Sequence, residues 1–290
     1  MGAYPTGNEL TVTVTDAAIR EYWNSEALNG AYSEATIAKK ENVIHEFSDG
    51  KKFGDVYHFI ETAAFTTNAV GADGAVTNQS ITHTNRQVSI NLWRDVSVTL
   101  PDRSNIQSAL EYGNWFSKNA GGAIAEYWDE QLFGLHTDIQ AANQLGSTTS
   151  PEPMSDDLVL EANIVLDDAK VKQNDRAWFF APRAKYTLLK MDKFVDVMKT
   201  GLSKGAQLTG LLGELYGSNV FMSALVVNTG TPAVRKNLYM HRTCMAMVME
   251  RELNIEKLAR VSKADTWSGD TLGGRAVTRA NWGVVINTAA

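Results

Sequence analysis

Residues 104–140 limit what this chain can fold into more than any other stretch. Apolar or small side chains recur at Ile106, Leu110, Gly113, Phe116, Ala120, Ile124, Tyr127, Leu132, Leu135 and Ile139, the three- and four-residue steps that line one face of a helix. Glu111, Asn114, Lys118, Glu126, Asp129 and Glu130 lie largely off that stripe, which predicts one packing side and one side turned to water or to a neighbour. Ser104 followed by Gln107 fits a capping box at the start. At about 1.5 Å per residue such a helix is roughly 50 Å long, against a mean of about 11–12 residues in globular proteins. Gly113, Gly121 and Gly122 each cost about 1 kcal/mol relative to alanine, so a bend or break near 121 is expected. A glycine on a helix also lets another backbone approach closely.

The remaining composition excludes several classes of function. The chain has 290 residues, of which 44% are hydrophobic, enough for one large or two modest domains. Its net charge of −6 argues against a large basic face gripping nucleic acid. Cys244 is the only cysteine, so neither an intrachain disulfide nor a cysteine-rich metal site can form. No apolar run reaches the roughly 20 residues that cross a bilayer, and residues 1–9 lack the basic and apolar regions of a signal peptide. The expectation is a soluble product made in a cytoplasm.

In chain order, residues 1–50 carry no continuous apolar stripe. Residues 16–28 fit a short amphipathic helix with Ile19, Tyr22, Trp23 and Leu28 on one side, and a polar stretch follows through Lys39, Lys40 and Glu41. This reads as an arm, which must lie on something else or stay disordered. Residues 56–60 and 87–92 are strand-like, with Val88, Ile90 and Leu92 alternating against Ser89 and Asn91. Between them, residues 66–80 contain Asn68, Gly71, Gly74 and Asn78 and few large side chains. That predicts a long hairpin whose tip cannot bury itself, a kind of loop that is normally functional or mobile. Val96, Val98 and Leu100 form a further extended segment ended by Pro101.

Residues 144–153, rich in Gly, Ser, Thr and Pro, mark the clearest boundary. Ser155 caps a helix expected to run to about Val171, with Asp156 and Asp157 in its first turn where negative charge suits the dipole. A buried strand over 177–181 follows, then Pro182 with Tyr186, Leu188 and Leu189, and a short helix over 192–200. Strand, helix, strand, helix predicts a second, mixed α/β unit. Glycines 201, 205, 210, 213 and 217 punctuate a loop-rich region, before strands expected over 220–227, 244–250 and finally 275–287, where Trp282, Val284 and Ile286 alternate. The fold class expected is therefore α+β.

Chemistry is sparse. Gly201-Leu202-Ser203-Lys204-Gly205 matches G-x-S-x-G, but a nucleophile elbow needs a strand before the serine and a helix after it. Here a helical segment precedes and a glycine-rich loop follows, so Ser203 reads as a turn residue, with a serine hydrolase as the remote alternative. Neither the phosphate-loop nor the dinucleotide fingerprint is present. His45, His58, His83, His136 and His241 form no helical metal-binding pair. Glu126 and Glu130 share a helical face beside Asp129; with no histidine or lysine partner at matching spacing, a solvated or intersubunit acidic face is the better reading than acid–base catalysis. Asp167-Asp168 reads as a helix C-terminal turn where negative charge opposes the dipole and seeks an arginine, including one from a partner. Trp23, Trp93, Trp115, Trp128 and Trp178 read as core or interface anchors, with a ligand pocket as the alternative. Asn78-Gln79-Ser80 is a glycosylation sequon without meaning in an unsecreted chain. No catalytic, cofactor-binding or metal-ligating residue is assigned.

The order of parts is nonetheless distinctive: an arm, a long two-stranded loop, a strand through Arg94-Asp95-Val96-Ser97-Val98, a spine helix, a mixed unit and a terminal strand. It resembles the major capsid proteins of tailed double-stranded DNA bacteriophages with the HK97-type fold. Gln87-Val88-Ser89-Ile90 leads into the spine, and Tyr127-Trp128-Asp129-Glu130-Gln131-Leu132 sits where those proteins end it. Trp178-Phe179-Phe180-Ala181-Pro182 precedes Tyr186-Thr187-Leu188-Leu189-Lys190; Gly217-Ser218-Asn219-Val220 and His241-Arg242 fall at a strand entry and a late strand; and Asn281-Trp282-Gly283-Val284-Val285-Ile286 is similar to their closing strand. The likeness spans nearly the whole chain and rests on order and spacing.

The resemblance implies an N-terminal arm at 1–50, an extended loop at 51–92, a peripheral domain at 93–143 plus 271–290 and an axial domain at 144–270. It implies copies assembling into hexamers and pentamers of an icosahedral shell in the host cytoplasm, around double-stranded DNA that is enclosed without sequence-specific binding. A separate scaffolding protein, a portal and a cement protein are the partners it suggests, with no cofactor and no enzyme activity. One relative in that family locks its shell through lysine–asparagine isopeptide bonds from the extended loop. Residues 66–80 contain no lysine here, and Lys51 and Lys52 stand near the loop's base, so noncovalent locking is expected. The runner-up reading is an encapsulin-like nanocompartment shell, which shares the fold; a sugar- or receptor-binding coat decoration is a third reading that does not need the long helix.

Overall fold

A computed structural model describes residues 35–47, 54–62, 65–70, 72, 74, 76, 78–81, 83–101, 112–191, 213–262 and 264–290. Two sheets and three α-helices organise them. The first sheet has the order β1-β10-β11-β3-β2, built from β1 (Ile44–Phe47), β2 (Val56–Thr62), β3 (His83–Pro101), β10 (Met245–Ser262) and β11 (Ala264–Val277). β1 runs parallel to β10, and the other pairs are antiparallel. The strand segments expected at 87–92 and 96–100 are one continuous strand. β3 pairs with β2 through Ser89 and with β11 from Ile90 onward, so a single long strand carries the hairpin out of the sheet. Likewise β10 extends twelve residues beyond the 244–250 expected.

The spine is α1 (Tyr112–Phe133). It lays Phe116, Ala120, Ile124, Trp128 and Leu132 against the first sheet, in one core with Met247, Met249, Leu253, Ile255 and Trp267. The helix is shorter at its C-terminal end than the 104–140 periodicity predicts. After Phe133 the chain tightens into a 3-10 turn over Gly134–Asp138, and Ile139 is extended with φ −73° and ψ 144°. Leu135 and Ile139 are still buried, so the stripe reports burial correctly after the helix has ended at a glycine of low helix propensity. Ser104 and its capping box lie outside the described residues. The break expected near Gly121 and Gly122 does not occur; helix continues through both. The close approach that glycine permits comes from the sheet side. A Cβ on Gly273 of β11 would lie 2.9 Å from Trp128 Cη2 and 2.7 Å from the Val248 carbonyl oxygen.

The second sheet follows β4-β12-β9-β5-β7-β6, with β8 beside β9. Its strands are β4 (Gln144–Leu145), β5 (Arg176–Phe180), β6 (Glu214–Leu215), β7 (Ser218–Met222), β8 (Asn228–Thr229), β9 (Val234–His241) and β12 (Gly283–Ala289). Adjacent side chains of β5 and β12 enter different cores. Phe179 and Val285 join the spine core, while Trp178, Phe180, Val284 and Ile286 face α2 (Asp156–Asp168) and α3 (Pro182–Leu188). A sheet buried on both faces needs near-continuous apolar strands, and these supply them. Trp178 stacks on Tyr239 with ring centroids 3.6 Å apart and donates through Nε1 to the Leu215 carbonyl at 3.1 Å. The Ser155 cap is as expected, its hydroxyl accepting from the Leu158 N–H at 3.3 Å, but α2 ends at Asp168 rather than Val171. β7 stops at Met222, short of Val227. The helix expected at 192–200 lies outside the described residues.

The single closing strand expected over 275–287 is divided. β11 ends at Val277, a 3-10 turn spans Ala280–Trp282, and β12 then joins the other sheet. Thr278 fastens the corner by donating its hydroxyl to the Thr243 carbonyl at 2.6 Å. Sheet pairing thus groups 245–277 with β3, and 283–289 with β4 and β9. Alternation identifies a strand without identifying its partner.

Candidate assembly surfaces

The sequence-singled histidines do not converge. His58 pairs with Asn85, His136 Nδ1 lies 3.1 Å from the Phe133 carbonyl oxygen, and His241 bonds to Thr243. His83 is exposed on β3, and His45 is enclosed in β1. Among the described residues no cluster of His, Cys, Asp or Glu has the arrangement to hold a metal. Burial pushes the Cys244 thiol up to about 12, so it is not a nucleophile at neutral pH. Ser203 and its G-x-S-x-G stretch lie outside the described residues. What the fold does position is a pair of structures at its margin, one tied into the core and one exposed.

The first is the root of the arm. Residues 35–47 do not form the coreless stretch that composition suggested: Ala35, Ile37, Ala38 and Val43 are buried in the spine core, and β1 adds an edge strand. Asp129 holds them. Its Oδ2 accepts from the Thr36 N–H at 2.6 Å, and Oδ1 accepts from Ile37 at 3.1 Å and Ala38 at 2.8 Å. The solvated or intersubunit acidic face expected for Glu126, Asp129 and Glu130 is therefore corrected at its middle member. Glu126 and Glu130 are exposed, whereas Asp129 is only 1% exposed. Burial raises the Asp129 pKa, and the three backbone donors oppose that rise by favouring the carboxylate. Lys40 adds a cation–π contact, 4.3 Å from the Phe47 ring centroid. Sequence reasoning missed this clamp because its partners are backbone groups 91 to 93 positions away. The available signal was a carboxylate directly beside the buried Ile124, Trp128, Leu132 row.

The second is the hairpin of β2 and β3. Its ladder pairs Val56 with Ser89 and Thr62 with His83. Past the last rung, Gln79 acts as a side-chain rung: its Oε1 accepts from the Thr66 N–H at 3.0 Å, and its Nε2 donates to the Thr66 carbonyl. Arg279 ties the outer end of β2 through Glu61 at 3.1 Å while lying over the Trp282 ring. Along the projection Ile60, Phe65, Val70, Val76 and Ile81 are exposed, Ile60 at 73% and Val76 at 74%. Scattered apolar surface is ordinary, and here several large apolar side chains are exposed within one loop.

The remaining candidates separate cleanly. Trp128 and Trp178 are core; Trp93 and Trp115 are exposed, and Trp93 donates through Nε1 to Asp270 at 3.0 Å. Asp167 finds its arginine within the chain, Arg176 at 2.7 Å. Trp23 lies outside the described residues. No helix among the described residues is long and apolar enough to cross a membrane.

Comparison with solved structures gives a consistent answer. The capsid of cyanophage P-SCSP1u superposes with a TM-score of 0.69 over 88% of this chain and 89% of that one, at 15% identity. The HK97-type fold is therefore present. A structure from Mycobacterium phage Che8 gives 0.64 over 80% and 84% at 21% identity. A virus-like particle from Pyrococcus furiosus gives 0.59 over 92% and 98% at 10% identity. No family model and no curated protein matches the sequence. Within the HK97-type fold, α1 is the spine and the β2–β3 hairpin is the extended loop.

Proposed function

We propose that the chain is the major capsid protein of a tailed bacteriophage, the repeating subunit of an icosahedral shell of hexamers and pentamers around double-stranded DNA. The observation that carries this reading is the exposed apolar series on the extended loop of a capsid-fold chain. Four large apolar side chains beyond the ladder, with Ile60 on it, find no cover in a single copy, and many copies related by rotation supply it. Under this reading, residues 1–50 and 51–92 are the parts that reach neighbours. The peripheral unit is 93–143 with 271–290, and the axial unit is 144–270. The shell's acidic subunits enclose DNA rather than grip it, and scaffold, portal and cement proteins are the partners to seek.

A nanocompartment shell is the second reading, favoured by the match to the Pyrococcus furiosus virus-like particle over nearly that whole chain. Negative-stain microscopy of the purified protein, made alone and with its neighbouring genes, tests both. Closed particles or capsomer rings support a shell, and long DNA inside supports the virus over an enclosed enzyme. Monomers under both conditions would sink the proposal.

A further inference from the structure

Helices α2 and α3 share one core on the second sheet: α2 buries Val159, Ala162 and Leu166 there, and α3 buries Ala184 and Leu188. Their outward faces differ in sign. On α2 the exposed residues Asp157, Leu160, Glu161, Ile164 and Asp168 recur in three- and four-residue steps, and at 3.6 residues per turn they fall within about 100° of arc, opposite the buried row. Ile164 is 57% exposed. This stripe sets two branched apolar side chains among three carboxylates and contains no cation. None of the three carboxylates forms an ion pair among the described residues, whereas the neighbouring Asp167, which lies off the stripe, has Arg176. On α3 and the turn after it, Arg183, Tyr186 and Lys190 are exposed at the same spacing, Tyr186 at 58%, with no carboxylate among them. Arg183 also donates to the Ala290 main-chain oxygen. Both stripes turn away from the core that the helices share, so they do not cover each other within one copy.

We propose that α2 of one copy docks against α3 of the next, Tyr186 covering Leu160 and Ile164 while Arg183 and Lys190 meet the carboxylates of Asp157, Glu161 and Asp168. A second copy is the fitting occupant because the acidic, apolar stripe and its basic, aromatic complement are both on this chain. Two different patches make a heterologous contact, which closes a ring when the rotation relating neighbours closes. Opposite charge along the two stripes sets which helix meets which, since α2 against α2 or α3 against α3 would bring like charges together. Tyrosine suits the centre of such a contact, with an apolar ring to bury and a hydroxyl left for the polar rim. The contact rests on the shell reading above and is separate from the extended loop.

The test reverses the charges on the full chain and reads assembled material by sedimentation velocity. An α2 variant (Glu161→Lys with Asp168→Lys) and an α3 variant (Arg183→Gln with Lys190→Glu) should each assemble roughly tenfold less than the parent or worse, because like charges then face each other. A chain with all four substitutions should recover assembly, and so should an equimolar mixture of the two variants, in which alternating copies restore opposite charge at every contact. Either variant assembling like the parent would overturn the contact, as would failure of the four-substitution chain to recover. Variants that assemble normally but lose a co-assembled partner protein would assign the stripe to that partner instead. A second readout does not depend on charge: Leu160→Cys chains mixed with Tyr186→Cys chains should be joined by a short thiol cross-linker in the mixture and in neither chain alone, Cys244 being buried. Absence of that dimer would also overturn the contact. A parent that never assembles, alone or with its neighbouring genes, removes the shell reading and this contact together; a parent that assembles beside insensitive variants removes this contact alone.

Discussion

Asp129 concentrates more constraint than any other side chain at the arm's root. A buried carboxylate is tolerable because three backbone N–H groups surround it, and those groups in turn need it. Replacing it with alanine leaves the donors without an acceptor, and the expected loss is about 2–4 kcal/mol, from hydrogen bonds to a charged group worth roughly 1.5–3 kcal/mol each less what rehydration returns. Asp129→Asn keeps one acceptor but turns an amide donor toward another donor, so it should be nearly as damaging. Denaturant unfolding gives the magnitude. Hydrogen exchange should show the amides of Thr36 to Ala38 losing protection first, and unchanged protection there would refute the clamp. His45 makes a separate prediction about pH. Its pKa is lowered to about 4, chiefly by burial and further by Lys40 and Arg242, with Glu252 also lining the cavity beside the ring. The unfolded chain takes up the proton near 6.5 and the folded chain only near 4. Folding stability therefore falls as pH drops from about 6.5 and levels off below about 4, by roughly 3 kcal/mol in all. Asp129 acts with the opposite sign, since its raised pKa favours the protonated folded state as pH falls. In His45→Phe the stability loss between pH 6.5 and 4 should be markedly smaller than in the parent; identical curves would show that His45 is not the group responsible.

At the level of elements, the hairpin and the spine show what a sequence can and cannot disclose. Alternation at Val88, Ile90 and Leu92 located β3, and the three- and four-residue steps at Phe116, Ala120, Ile124 and Leu132 located α1, because both patterns follow directly from which side chains meet the core. The same steps overran the helix at Leu135 and Ile139, where burial continues in a different backbone geometry. Pairing was less accessible still. Nothing in Val284 and Ile286 reveals that β12 lies between β9 and β4, since strand partners are chosen by the whole sheet. The arm's anchorage was invisible for the same reason: it joins Asp129 to backbone groups that every sequence possesses. Gln79 is the corresponding hidden feature of the loop, a side chain continuing a ladder that the backbone has ended. Deleting residues 68–78 should leave the two sheets folded, with little change in unfolding midpoint, yet impair shell closure. Gln79→Ala should do the same in milder form, slowing assembly while leaving subunit stability within about 0.5 kcal/mol, the range of surface substitutions. Normal particle yield from the deletion, measured by sedimentation, would remove the loop from assembly.

For the whole molecule, the question is what holds copies together once the cores are filled. The central strands of the second sheet are buried on both faces, and the first sheet is covered on one face by the spine, so in the proposed shell the described surface left for contacts between copies is the loop and exposed side chains such as Ile164 and Tyr186. A loop contact is small, and a single weak contact repeated around a closed shell becomes strong because each subunit is held at several places at once. That gives durability without chemistry. A covalent alternative would require an amine and a carboxamide brought together between chains, and the loop tip provides no lysine over 66–80. Particles boiled in denaturant should therefore run on a gel as one band at the 31.8 kDa of a single chain, and raised salt or mild denaturant should dissociate them before subunits unfold. A ladder of linked chains would show instead that lysines outside the tip, such as Lys51 or Lys52, reach a neighbour's carboxamide, and the apolar loop series would then serve to align a bond rather than replace one.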